Sequence, residues 1–210
     1  MRLAPIPENP VERVVARLNL APRPLIDTQI AFTLARLVMV GTKLGVFEAL
    51  REQPLEPGQV AERCQLDPRG AQKLLFALAG AEYVEEKDGR YDLAPVARKW
   101  LLVDSPNSLV DKLLFQFHEW DWMERAEDYV RTGEPLELHT AISGDQWPAY
   151  QRGMRSLAGT SAGEAARRLP IPKGARNMLD IGGSHGYYSV ALCRRHERMN
   201  AVVLDLPEAV

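Results

Sequence analysis

The stretch NMLDIGGSHGYYSVALCRRH, residues 177–196, decides the fold. A short apolar run leads into closely spaced glycines, and a helical pattern follows them. A second apolar run, AVVLD at 201–205, closes the segment. Strand, short helical crossover and strand make one βαβ unit, which implies a parallel pair. A glycine turn between the first strand and the helix aims backbone N–H groups at a nucleotide-like ligand. Two glycine registers tie. As G-x-G-x-x-G the positions are Ile181, Gly183 and Gly186; as G-x-G-x-G they are Gly182, Ser184 and Gly186.

Charge favours one ligand over the other. Asp180 stands at the strand end, where its carboxylate repels the pyrophosphate of a dinucleotide in a partly desolvated site. It suits S-adenosylmethionine, which carries an ammonium and a sulfonium and no phosphate. Asp205, at the end of the second strand, is placed to accept hydrogen bonds from both hydroxyls of a ribose, a feature common to both ligands. Each acid also reads, taken alone, as a strand-end carboxylate capping a turn. His185 lies inside the turn and reads as a loop-shaping residue rather than a base. His118, His139 and His196 have no companions at ligand spacing, so no metal site is expected.

Working outward, the chain of 210 residues accommodates one large domain or two small ones. Its 46% hydrophobic and 26% charged content is that of a folded globular protein, and the formal charge of −2 gives no general drive toward nucleic acid or an anionic membrane. Cys64 and Cys193 are far apart and read as reduced packing residues. Prolines and charges break the N-terminus where a signal peptide needs an apolar core, and no run is read as long enough for a membrane span. A cytoplasmic protein is the expectation.

Residues 1–24 read as an arm with one short helix near 11–18. A single helix is predicted over 26–50, apolar on more than one face, which points to a subunit interface or a domain core. Next come a short helix at 60–64, a helix opened by Asp67 as N-cap and Pro68 at its first position, and strands at 83–86 and 90–93 around the turn Asp88-Gly89. That order is a winged helix-turn-helix. One helix is predicted over 109–131 and another over 147–169. In the wing, Glu82, Glu85, Glu86, Asp88 and Asp92 outnumber Lys87 and Arg90, which argues against a DNA-binding regulator.

LDIGGSHGYYSVAL followed by VVLDLPEAV, behind ARLVMVGTKLGVFEAL, VAERCQLDPRGAQKLLFALA and YDLAPVARKWL, resembles the small-molecule S-adenosylmethionine-dependent O-methyltransferases of plant phenolic and bacterial polyketide or pigment pathways. The resemblance runs from about residue 24 onward. It implies a mainly α winged-helix dimerisation domain followed by the first βαβ unit of a truncated Rossmann-like α/β methyltransferase domain. The arm and dimerisation domain would occupy 1–104, a helical linker 105–170, and the incomplete cofactor domain 171–210.

The resemblance also implies a homodimer and a small-molecule acceptor with a hydroxyl group; charge and hydropathy lead to the expectation of neither nucleic acid nor membrane as partner. The family's cofactor turn maps onto Asp180, Gly182, Gly183 and Gly186, and its ribose acid onto Asp205. Ser184 stands where glycine is commoner. Trp147, Tyr150 and Met154 fall where the family lines its acceptor pocket, but read first as core packing. The family's catalytic histidine lies downstream of everything present, so a fragment without a base or turnover of its own is expected. A non-catalytic dimerisation module is the alternative.

Overall fold

The structure, a computed structural model, describes residues 6–18, 20–135, 137, 139 and 142–209. Helix α1, Pro10–Arg17, is opened by Asn9, whose side chain accepts from the Glu12 N–H at 2.9 Å, and it has no buried residue. Helix α2, Arg23–Lys43, runs 21 residues and winds as a π-helix over Ile26–Ile30. Two expectations are corrected here. The helix predicted over 26–50 ends at Lys43, because Gly45 takes the left-handed conformation (φ 74°) and starts a separate helix α3, Val46–Ala49. By length and composition alone, α2 is also long and apolar enough to cross a membrane.

The C-terminal half of α2 is anchored in a core, where Val38 and Met39 are buried. Helix α4, Pro57–Cys64, is opened by a capping box between Glu56 and Gln59. In α5, Pro68–Gly80, Asp67 accepts from the Gly70 N–H at 2.8 Å, and Leu74, Leu75 and Leu78 face inward. Strands β1, Val84–Lys87, and β2, Arg90–Leu93, pair antiparallel with Val84 opposite Leu93. Both residues of the turn between them have positive φ, Asp88 at 53° and Gly89 at 77°, as a tight two-residue hairpin requires. Phe47, Leu50, Leu75, Leu78 and Val84 form the centre of this core.

After α6, Pro95–Trp100, the helix predicted over 109–131 is two: α7, Val110–Met123, and α8, Ala126–Thr132. The chain departs from helix at Arg125 (ψ 3°). Helix α9, Trp147–Arg168, crosses α7 closely: a Cβ on Gly153 would lie 3.1 Å from Cβ of the buried Phe115. Strands β3, Asn177–Ile181, and β4, Asn200–Leu204, pair in parallel and flank α10, Tyr187–Arg195. The second strand therefore ends one residue before Asp205.

Both strands alternate in exposure. Met178, Asp180, Ala201 and Val203 lie on the more covered side, and Leu179, Ile181, Val202 and Leu204 point outward with 56% to 75% of their surface exposed. Met178 packs with Ala166, Leu192 and Met199, so α9 and α10 cover one face of the pair.

Candidate functional site: the glycine turn after β3

The turn is built from the strand end upward. Gly182 donates to the Leu204 carbonyl at 2.8 Å and extends the ladder by one bond, then takes φ 71° to leave the strand. Gly183 admits no side chain, since a Cβ there would lie 2.6 Å from Asp180 Cγ and 2.8 Å from Val203 Cγ1. Ser184 has φ 48° and Gly186 φ 63°, and a bond from the Gly186 N–H to the Gly183 carbonyl (2.8 Å) closes the loop before α10. Nothing lies within 4 Å of a Cβ placed on Gly182, so that residue faces open space.

The carboxylate of Asp205 is fixed across the turn. Its Oδ2 accepts from the Ser184 N–H at 2.7 Å and its Oδ1 from the Leu206 N–H at 2.8 Å. Each oxygen keeps a lone pair for a ligand hydroxyl. The Ser184 hydroxyl donates to Gln151 Oε1 at 2.6 Å, and Gln151 Nε2 donates to the Ala209 carbonyl at 2.9 Å.

A cavity of about 220 Å³ opens beside this arrangement. Gly182, Ser184, Asp205, Leu206 and Ala209 form one wall and His139, Trp147 and Tyr150 the other. Of the five residues predicted for the cofactor, Gly182 and Asp205 reach the cavity. Gly183 and Gly186 shape the turn from behind. Asp180 also lies behind, accepting a 2.5 Å bond from the buried hydroxyl of Ser189 on α10. Its charge therefore acts through the turn and not as a cavity-lining ligand.

Tyr150 holds its phenol proton firmly. Burial pushes its pKa up, and the negative charges of Asp205 and Glu119 add to that. Its hydroxyl meets His139 Nε2 at 2.9 Å, and the His139 ring stacks on Trp147 with centroids 6.2 Å apart. Burial lowers the pKa of His185, and its Nδ1 accepts from the Tyr187 N–H at 3.1 Å, so the ring is neutral and engaged in the loop. Trp147 and Tyr150 belong at once to the cavity wall and to the aromatic cluster around Phe115, against which Met154 packs. Among the described residues no cluster of three His, Cys, Asp or Glu is placed to hold a metal.

Gln151 and His139 escape sequence reasoning. Gln151 meets Ser184 from 33 residues away, and nothing in its own helix marks it. The one hint is Ser184 itself, a hydroxyl in a place where glycine is commoner.

Residues 27–103 match the family described as the O-methyltransferase dimerisation domain. The chain is 26% identical over 194 residues to the 3-hydroxy-5-methyl-1-naphthoate 3-O-methyltransferase of Streptomyces sahachiroi, covering 89% of this chain and 56% of that protein. It is 25% identical over 199 residues to the N,N-dimethyltransferase OxyT of Streptomyces rimosus, covering 88% and 57%. In fold it is similar to human N-acetylserotonin methyltransferase, solved in complex with S-adenosylmethionine: TM-score 0.79 at 23% identity, over 90% of this chain and 60% of that one. The chain thus spans a little over half the length of the curated relatives it matches.

Proposed function

From the kinship of this chain with the S-adenosylmethionine-dependent O-methyltransferases, we propose that it is the cofactor-cradling and dimerising part of such an enzyme, acting in the cytoplasm on a hydroxyl of a small aromatic or polyketide-like metabolite. The division into an arm and winged-helix dimerisation domain at 1–104, a helical linker at 105–170 and the first βαβ unit of a Rossmann-like domain from 171 follows the order of the elements. Two copies associate through the N-terminal domain, whose α2 leaves Ile30 and Phe32 more than half exposed. Large apolar patches on a soluble protein mark association surfaces. The wing hairpin carries exposed Glu85 and Glu86, which disfavours nucleic acid as a partner.

One observation carries the cofactor assignment: Asp205, already oriented by two backbone N–H groups, faces a cavity beside the open Gly182. A carboxylate in that position accepts from the two hydroxyls of a ribose, and the bare backbone at Gly182 lets a ligand approach closely. Asp180, Gly183 and Gly186 maintain the turn, with Asp180 adding negative charge behind it that favours a cationic ligand over a pyrophosphate. S-adenosylmethionine, when bound, supplies a methyl group on a sulfonium. Tyr150, with its phenol kept protonated, and the His139 ring seated on Trp147 form the wall that orients an aromatic acceptor. Orientation of this kind contributes a large part of the rate in a direct displacement. We assign these residues binding and orientation, and no proton removal, because Tyr150 is held neutral and His139 Nε2 is bound to it.

Calorimetry on the chain with S-adenosylhomocysteine and with NADH tests the assignment. Heat of binding with the former and none with the latter is expected. Binding of NADH alone would replace the cofactor class.

A further inference from the structure

We propose that Gln151 is a positioning residue for the cofactor turn, a two-ended brace that ties helix α9 to Ser184 on one side of Asp205 and to Ala209 on the other. The inference rests on the reading of the turn as a cofactor site. It concerns a residue that does not line the cavity and so acts through others.

The orientation of the brace is determined chemically. The Ala209 carbonyl only accepts, so the Gln151 amide must turn its NH₂ toward it, at 2.9 Å. That leaves Oε1 to accept from the Ser184 hydroxyl at 2.6 Å. The brace is half-buried on α9, whose next turns pack against α10 and α7, so its base is rigid.

The turn needs such support. Ser184 has φ 48°, a conformation that a residue with a Cβ disfavours and glycine does not. Two bonds offset that strain: the N–H to Asp205 and the hydroxyl to Gln151. Release of the hydroxyl frees Ser184 to relax toward negative φ, and that rotation swings its N–H away from Asp205 Oδ2. The carboxylate then loses one of its two anchors. On the far side, the Ala209 bond holds the 3₁₀ turn Pro207–Ala209, which follows directly on Asp205 and Leu206. Gln151 therefore fixes both sides of the acid without lining the cavity, and it transmits the position of α9, which also carries Trp147 and Tyr150, to the turn. The serine in the glycine place and the glutamine on the helix form one device: Ser184 creates the need, and Gln151 meets it.

The test is a cycle of four versions of the chain: wild type, Gln151→Ala, Ser184→Gly and the double variant. Backbone amide hydrogen exchange and S-adenosylhomocysteine titration are followed by NMR in each. Exchange at Ser184 and Leu206 is expected to rise about tenfold in Gln151→Ala, the scale of one lost hydrogen bond, with the amides of α5 unchanged as a control for the fold. S-adenosylhomocysteine affinity should fall about tenfold when Gln151→Ala is made in the Ser184 chain, and no more than about threefold in the Ser184→Gly chain, where the turn no longer needs the bond. Unchanged exchange at Ser184 and Leu206 in Gln151→Ala overturns the brace, as do equal affinity losses in the two backgrounds. A wild-type chain with no response to S-adenosylhomocysteine overturns the cofactor reading alone, because the exchange comparison still decides the brace.

Discussion

The Ser184 N–H and the Asp205 carboxylate meet at 2.7 Å across the ends of two parallel strands. The acid that would take the ribose is thus oriented by the backbone of its own turn. Preorganisation of this kind lowers the entropy lost on association.

Gly183 is the tightest point of the turn. An alanine there would drive its Cβ into Asp180 and Val203, at 2.6 and 2.8 Å, and would push the Asp180 carboxylate off Ser189. Gly183→Ala is expected to destabilise the β3–α10–β4 segment by about 1–3 kcal/mol, the range for overpacking a filled interior. Exchange in residues 177–204 measures it. At Gly182 the surroundings are open but φ is 71°, so Gly182→Val strains the backbone and places a branched side chain in the space assigned above to the proposed cofactor. Loss of S-adenosylhomocysteine binding is expected in that variant, by calorimetry.

His185 gives the segment a dependence on acid. Burial holds its pKa below the ordinary 6.5, so the folded chain resists a proton that the unfolded chain accepts. Above the unfolded value both states are neutral and the segment is at full stability. As pH falls below about 6.5 the unfolded state binds more protons, and stability declines until the folded pKa is passed. Denaturant unfolding of the 177–209 segment between pH 7.5 and 5 should show this slope. His185→Gln should flatten it; a slope unchanged in that variant would assign it to another group.

The N-terminal domain should be dimeric. Sedimentation equilibrium of the chain at tens of micromolar is expected to give twice the 23.5 kDa monomer mass. Phe32→Ser, at a ring 59% exposed on α2, should shift the balance toward monomer. A clean monomer for the wild type would leave the apolar face of α2 in need of another partner.

Much of this was legible from local chemistry. Asp67-Pro68 marks the start of α5, Asp88-Gly89 marks the hairpin, and the run from Asn177 to Asp205 contains the whole β3–turn–α10–β4 unit. Where the reading failed, the deciding force was local but weak in pattern, or it was not local. Gly45 cuts one expected helix through its left-handed backbone, and the break at Arg125 cuts another without any glycine or proline to announce it. At the site, Gly182 and Asp205 follow from motif spacing. Asp180 sits behind the turn because Ser189 captures it, and Gln151 and His139 arrive from distant chain segments.

The most direct measurement is an NMR titration of the chain with S-adenosylhomocysteine, repeated on Asp205→Ala. The account expects shifts concentrated at Gly182, Ser184 and Leu206 in the wild type, and an affinity weakened by about 1–3 kcal/mol in the variant, the scale of hydrogen bonds to a charged acceptor. Shifts confined to residues away from the β3 turn, with an affinity that Asp205→Ala leaves unchanged, would contradict it.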